Sequence, residues 1–356
     1  MARATLTIDL DAVTANWRAL DALTPPSVET AAVVKADGYG LGAGPVARRL
    51  RAEGVRTFFT ALAEEAAAVR EALGDGPAIH FFSGLMPGDA DLCRSHDLVP
   101  CLNSAAQVTD FMKHLSGRRC AIQLDSGMNR LGMEADEAAG AADLIARAAP
   151  NLVISHLACA DEPGHPMNAA QADTFGRIAA TLPPGRRSLA ATGGILLGPR
   201  WHHDLTRAGI GLYGGAPFAD ALPVVTLSLP VIQVRDIAPD ESVGYGATWT
   251  ASRPSRVATL DAGYADGLLR AIGSGGIRLY SGDIACPLVG RVSMDLITVD
   301  VTDLPHVPPS LKILNARQTV DDLARVAGTI GYEILTSLGG RYERVYKGAA
   351  QPPDPE

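Results

Sequence analysis

The sequence predicts an α/β protein, a (β/α)8 TIM barrel followed by a mainly β C-terminal domain. Three observations carry that expectation. Short apolar runs with a β-branched or aromatic bias recur eight times up to about residue 215. Ala-rich stretches of helical period lie between them, and that alternation signals parallel strands with crossover helices. After about residue 222 the runs become longer and alternate apolar with polar residues, as in antiparallel sheet.

Taken in order, the strand candidates are AAVVK (31–35), RTFFTAL (56–62), AIHFFS (78–83) and LVPCL (98–102). RCAIQL (119–124), LVISHL (152–157), SLAAT (188–192) and a segment within 205–213 (LTRAGIGLY) complete the eight. AEEAAAVREAL (63–73), SAAQVTDFMKHL (104–115) and residues 134–149 have helical spacing of apolar residues. Eight βα units in this length suit the barrel. A doubly wound open sheet would want G-x-G-x-x-G after its first strand, and ADGYGLGAG is not in that register. The later strands include VVTLSLPVIQV, RVATLDAG, GIRLYSGD and ITVDV, with a hairpin turn at Ser281-Gly282-Asp283 and a helix capped by Thr319. The expected domains are 9–222 for the barrel and 1–8 plus 223–350 for the β domain, with a disordered tail at 351–356.

The 356 residues are 47% apolar and 20% charged, with a net charge of −8. That composition excludes wholesale disorder. The acidic balance, the lack of a long basic block and an aromatic content of 5% argue against nucleic-acid binding. No apolar run reaches the ~20 residues of a membrane span, and MARATLTIDLDAV lacks a long apolar leader segment. Five scattered cysteines, with no C-x-x-C, point away from a disulfide framework and toward the cytoplasm.

Chemistry in such a barrel belongs at the C-terminal ends of the strands. Lys35 follows Val33-Val34 there. A buried ammonium is costly. Such a Lys either runs its stem along apolar surface to solvent or, desolvated, becomes a Schiff-base nucleophile. Arg130 closes QLDSGMNRLG after the fifth strand, and an Arg can grip a carboxylate bidentately. His156 ends the sixth strand; no partner stands at ligand spacing, so no metal is expected. The adjacent His202 and His203 read as surface residues. Thr192-Gly193-Gly194 and Arg207–Gly214 follow the seventh and eighth strands, where small residues expose amides to an anion. A Lys plus a phosphate cradle fits pyridoxal 5'-phosphate, and on these features a Schiff-base phosphosugar aldolase fits nearly as well.

Seven segments then narrow the choice: AVVKADGYGLG around Lys35, QLDSGMNRLG, SHLACADE, RAGIGLYG, VGYGATW, GYADGLLR and GRVSMDLITVD. In this order and spacing the chain resembles the alanine racemases, pyridoxal-phosphate enzymes of barrel plus β domain, over roughly residues 5–346.

The resemblance implies an isomerase that interconverts L- and D-alanine for peptidoglycan, acting as a head-to-tail homodimer with shared active sites. It makes Lys35 the residue joined to the cofactor and Tyr245, from the partner subunit, the second catalytic residue. Arg207 would face the pyridine nitrogen, Arg130 the phenolic oxygen and the substrate carboxylate, and His156 the underside of the ring. Tyr39, Thr192, Gly209, Ile210 and Tyr332 would hold the phosphate. Met294 and Asp295 would line the substrate site, and Tyr264 its entrance. The chain departs from the common pattern at Gln123, where many members have a carbamylated Lys, at Ser188 in place of a His, and at Ser293 in place of a Cys. The Gln123 change withdraws the usual support of Arg130. The alternatives are a racemase of serine or another small amino acid, and a non-catalytic cofactor-binding barrel; the VGYGATW segment and full β domain speak against the latter.

Overall fold

The computed structural model describes residues 3–274 and 276–348; the expected tail at 351–356 lies outside them. The chain divides into two compact units, Val13–Ala221 and a second built from Met1–Ala12 with Leu222–Glu356.

The strands are β1 Thr5–Asp9, β2 Glu29–Val33, β3 Thr57–Thr60, β4 Ala78–Phe81, β5 Val99–Leu102, β6 Ala121–Gln123, β7 Leu152–Ile154, β8 Arg186–Ser188 and β9 Leu205–Ala208. β2 to β9 are all parallel, in the order β8-β7-β6-β5-β4-β3-β2-β9. The ring closes between β8 and β9: Arg207 N donates to Ala190 O at 2.9 Å, and Asp204 N to Arg187 O at 3.0 Å. These strands are short and mostly buried along their whole length, because helices cover one face and barrel side chains the other. Phe58, Phe59, Ile79, Phe81, Val99, Cys101 and Ile122 are among the fully buried residues.

The helices between them are set by sequence signals. Ala63–Leu73 carries Glu64 and Glu65 in its first turn and Arg70 in its last, matching the helix dipole. Ser104 caps Ala105–His114 by accepting from Gln107 N. One strand candidate shifts: β8 is Arg186–Ser188 rather than 188–192. Leu189–Ala191 leave the β7 pairing and turn to β9 through the Ala191–Arg207 bridge, and Thr192 already opens the helix Thr192–Leu197.

In the second unit the strands are β10 Val225–Ile237, β11 Ser242–Val243, β12 Trp249–Thr250, β13 Ser255–Asp261, β14 Arg278–Ser281, β15 Ile284–Val289, β16 Leu296–Asp300, β17 Ser310–Leu314 and β18 Glu343–Lys347. Their main sheet runs β13-β16-β15-β14-β17-β10-β1-β18, and β10 also pairs with β13, so six strands form a ring. The two-residue Gly282-Asp283 connection joins β14 to β15. Asp322 reaches back to Thr319 N at 2.8 Å at the start of the helix Val320–Ala327. All five cysteines are free thiols. Among the described residues no helix is long and apolar enough to cross a membrane.

Candidate active site

β2 ends at Val33, and the chain turns at once into a single left-handed turn. Ala36, Asp37, Gly38 and Tyr39 have φ of +51°, +52°, +63° and +57°. Each non-glycine residue in that conformation costs about 1–2 kcal/mol, so Ala36, Asp37 and Tyr39 need compensation. Gly40 N donates to Ala36 O at 2.7 Å, Gly42 N to Asp37 O at 2.8 Å, and Ala43 N to Asp37 Oδ1 at 2.8 Å. Lys35 opens this turn and Tyr39 ends it. Lys35 is half-buried, whereas Lys113, Lys312 and Lys347, the other three lysines, are exposed. Burial lowers its ammonium pKa, Arg130 lowers it further, and Glu65 opposes both.

Arg207 leaves β9 fully buried. Its guanidinium donates to Ser188 Oγ at 2.5 Å, to Ser155 O at 2.6 Å and to Leu189 O at 3.2 Å. Ser188 is therefore a direct support of this Arg. Burial pulls Arg207 down to about 10, still charged at neutral pH. His156 stands two residues beyond β7. Its imidazole is pushed down to about 3, mainly by burial and then by the positive charge of Arg207, Arg130 and Lys35. It is neutral at pH 7. Gln171 fixes the main chain at His156 and just after it, donating to His156 O at 3.0 Å and accepting from Ala158 N at 2.8 Å.

The loops after β8 and β9 meet Tyr39. Its ring stacks on Tyr213 with centroids 4.5 Å apart, and Tyr213 donates its hydroxyl to Val33 O at 3.0 Å. A Cβ on Gly209 would lie 2.7 Å from the Tyr39 hydroxyl; only glycine lets the two approach. Thr192 Oγ1 accepts from Gly209 N at 3.0 Å and from Gly211 N at 3.3 Å. With both lone pairs taken, its proton is what the hydroxyl has left to offer. Ile210 is buried and starts the turn Ile210–Tyr213.

Arg130 is exposed near the end of a pinned loop. Asp125 Oδ1 accepts from Gly127 N and Met128 N at 2.7 and 2.9 Å, and Met133 N returns to Gln123 O at 2.9 Å. Gly132, at φ +112°, crosses so close to Leu124 that a Cβ would meet its carbonyl carbon at 2.6 Å. The amide of buried Gln123 donates to Leu131 O at 3.3 Å. It thus holds the backbone next to Arg130, where a charged group would act on the guanidinium itself.

In the second unit Tyr245 lies in the turn Tyr245–Ala247 and is 71% exposed. Tyr264 is 43% and Met294 54% exposed. Tyr264 N donates to Ser293 O at 3.0 Å and Ala265 N to Met294 O at 2.9 Å, so these two loops form one cluster. Asp295 is ion-paired with Arg341 at 2.6 Å. Tyr332 is 37% exposed on the helix Gly331–Ser337.

Two readings of the sequence need revision. His202 is not on the surface: it is buried, and its Nε2 pairs with Ile195 O at 2.9 Å. His203 is half-buried and meets Phe175 edge-on at 5.2 Å. The adjacent side chains do diverge, but both point into packed surroundings. Sequence reading also passed over Glu65, Gln171 and Tyr213. Glu65 looked like an ordinary first-turn acid. The other two act through partners far away in the chain.

Comparison with known proteins fits this arrangement. The alanine racemase N-terminal and C-terminal domain families match residues 8–217 and 224–346. An alanine racemase of Cereibacter sphaeroides is 60% identical over 347 residues, covering 97% of this chain and 99% of the relative. The solved alanine racemase of Bartonella henselae, with covalently bound pyridoxal phosphate, superposes with a TM-score of 0.91 at 35% identity, covering 98% of this chain and 100% of its own. The biosynthetic alanine racemase of Pseudomonas aeruginosa gives a TM-score of 0.89 at 36% identity, with the same coverage. On fold, extent and identity, the chain belongs to the alanine racemase family of isomerases.

Proposed function

We propose that this chain interconverts L- and D-alanine with pyridoxal phosphate at the barrel's strand ends, using two proton carriers on opposite faces of the substrate. Lys35 is the first, and Tyr245 of the partner subunit in a head-to-tail homodimer is the second. We assign it to the cytoplasm as a source of D-alanine for peptidoglycan; its five free cysteines suit a reducing compartment. The observation that carries the reading is the half-buried strand-end amine, held below its ordinary range and set among Arg130, His156 and Arg207.

The donor set fits the cofactor. Lys35 offers an amine that burial helps to deprotonate. The close approach of Tyr39 to Gly209 and the free proton of Thr192 suit a phosphate. When bound, the cofactor supplies an aldehyde for the amine and a ring that acidifies the substrate's Cα–H. Tyr39, Thr192, Gly209, Ile210 and Tyr332 would hold its phosphate. Arg207, a donor only, would keep the ring nitrogen it faces unprotonated and so restrain transamination. Arg130 would grip the substrate carboxylate. Met294, Asp295 and Tyr264 would line the substrate's approach.

Racemisation must remove a proton from one face of Cα and deliver one to the other. Lys35 Nζ serves one face and Tyr245 Oη the other. A phenol ionises near pH 10 in water, so Tyr245 requires positive surroundings to act as a base. In this reading Arg207 would supply that charge by way of His156, which burial and the neighbouring positive charge of Arg207, Arg130 and Lys35 keep neutral at pH 7.

Turnover of each enantiomer in deuterated water tests the scheme. Both L- and D-alanine should acquire solvent deuterium at Cα, and Tyr245→Phe should stop exchange from one enantiomer first. Equal residual exchange from both enantiomers in that variant would refute the two-carrier assignment.

A further inference from the structure

The left-handed turn that presents Lys35 has an anchor outside itself. Glu65, on the helix Ala63–Leu73, accepts from Ala36 N at Oε1 (2.8 Å) and from Ala61 N at Oε2 (2.8 Å), with Leu62 N at 3.4 Å. Ala36 is the residue after Lys35, and Ala61 follows β3. One carboxylate thus clamps the first amide of the strained turn to the end of the neighbouring strand. Asp37 secures the other end of the turn through Ala43 N.

We propose that Glu65 is a positioning residue for Lys35: its two oxygens fix the left-handed turn 36–39, and its charge faces the amine that the turn presents. The proposal rests on the reading of Lys35 as the amine that bonds the cofactor. A neutral amide could not replace the carboxylate, because Gln has one acceptor oxygen and its NH2 would point donor to donor at the second backbone N–H. Nor is a helix cap a full description. A cap needs only the helix's own first amides, whereas Ala36 belongs to a different strand-end loop.

The titratable and charged neighbours of Lys35 come from three directions. Glu65 approaches from the helix, Arg130 from the loop after β6, and His156 from the end of β7. Glu65 is the acid among them, and it raises the proton affinity of Lys35 against burial and Arg130. Removing its charge should therefore move the pH midpoint of the Lys35-dependent step to lower pH. Loosening the turn should displace the amine, and a misplacement of about 1 Å costs up to about 100-fold in rate.

The experiment compares the wild-type holoenzyme with Glu65→Gln and Glu65→Asp. Three readouts are taken: amide hydrogen exchange at Ala36 and Ala61, the pH profile of kcat, and the lysine labelled after borohydride fixation of the cofactor. Glu65→Gln should speed exchange at Ala36 or Ala61 at least about 10-fold, shift the midpoint to lower pH and lower kcat about 10- to 100-fold. Glu65→Asp, which keeps the charge but shortens the reach, should speed exchange while leaving the midpoint near that of wild type. A Glu65→Gln enzyme that loses thermal stability but keeps its Ala36 exchange and its pH profile would overturn the proposal and leave Glu65 a helix cap. Should that variant not fold, exchange at Ala36 in the wild type decides: slow exchange supports the clamp, and free-peptide exchange contradicts it. Fixation at a lysine other than Lys35 would instead break the functional reading beneath it.

Discussion

In the barrel unit Lys35, His156 and Arg207 are set into the strand ends, and their protonation is displaced from ordinary values by burial and by one another. In the β unit Tyr264 and Met294 stand exposed on two adjoining loops, and Tyr245 stands exposed in a separate turn. The first set is preorganised by this chain's own packing: Ser188, Ser155 O and Leu189 O satisfy Arg207, and Gln171 fixes the main chain at His156. The second set has fixed backbones but uncovered side chains. The comparison teaches that Lys35, His156 and Arg207 come ready-positioned within one unit, whereas Tyr245, Tyr264 and Met294 present uncovered side chains on the other.

The sharpest way to break that contrast is to remove one group from each side. Lys35→Ala should abolish borohydride-fixable cofactor and cut racemisation by about 10⁴-fold or more, the upper range for a proton carrier. Fixation and turnover that survive would remove the barrel amine from the account. Tyr245→Phe should retain the fixed cofactor, because Lys35 is left untouched, yet lose about 10²- to 10⁴-fold in kcat. Loss of cofactor binding in Tyr245→Phe would erase the distinction between the two units.

Buried histidines offer a second comparison within the barrel. His80 on β4 is stacked on Phe59 at 4.8 Å, and neither ring nitrogen has a hydrogen-bond partner among the described residues. Burial pushes it down to about 3, like His156. The folded state therefore binds fewer protons than the unfolded chain between the ordinary histidine value near 6.5 and pH 3. Stability should fall as pH drops through that window, by up to about 1.4 kcal/mol per pH unit for each such histidine. His80→Phe should flatten the slope of an acid denaturation curve and gain about 1–2 kcal/mol at neutral pH by removing unpaired polar atoms, with kcat unchanged. A steeper slope would show that the ring is paired in solution.

The smallest effect belongs to Gln123. Its amide holds Leu131 O and so steadies the loop that carries Arg130. Gln123→Ala should lose one hydrogen bond of about 1 kcal/mol and raise KM for alanine about 5-fold with little change in kcat. A fall in kcat at unchanged KM would place Gln123 in the chemistry.

How far the sequence alone reaches is clear from particular residues. Continuous apolar runs made the parallel strands legible, since a strand buried on both faces needs apolar residues throughout. β1 was not among the strand candidates, although TLTID alternates in burial as a half-buried strand does. The run SLAAT misled about β8, because Leu189–Ala191 are buried where the chain crosses to β9, past the strand proper. Lys35, His156, Thr192 and Arg207 were recognisable as strand-end residues from their place in each run. Glu65, Gln171 and Tyr213 were not, because their significance lies in contacts with Ala36, His156 O and Val33 O that no local pattern encodes. The pair His202-His203 failed for the same reason: adjacency, with diverging side chains, suggested the surface, but one carbonyl, Ile195 O, makes the buried His202 ring tolerable.

Complementation between two inactive chains tests most directly whether the exposed phenol of one copy serves the buried amine of another. Lys35→Ala and Tyr245→Phe chains, mixed equally and allowed to exchange subunits, form mixed dimers in which one site regains both groups. Random pairing in a two-fold dimer predicts recovery of about a quarter of the wild-type rate. A mixture that stays as inactive as its parents, with subunit exchange demonstrated, would contradict the shared site.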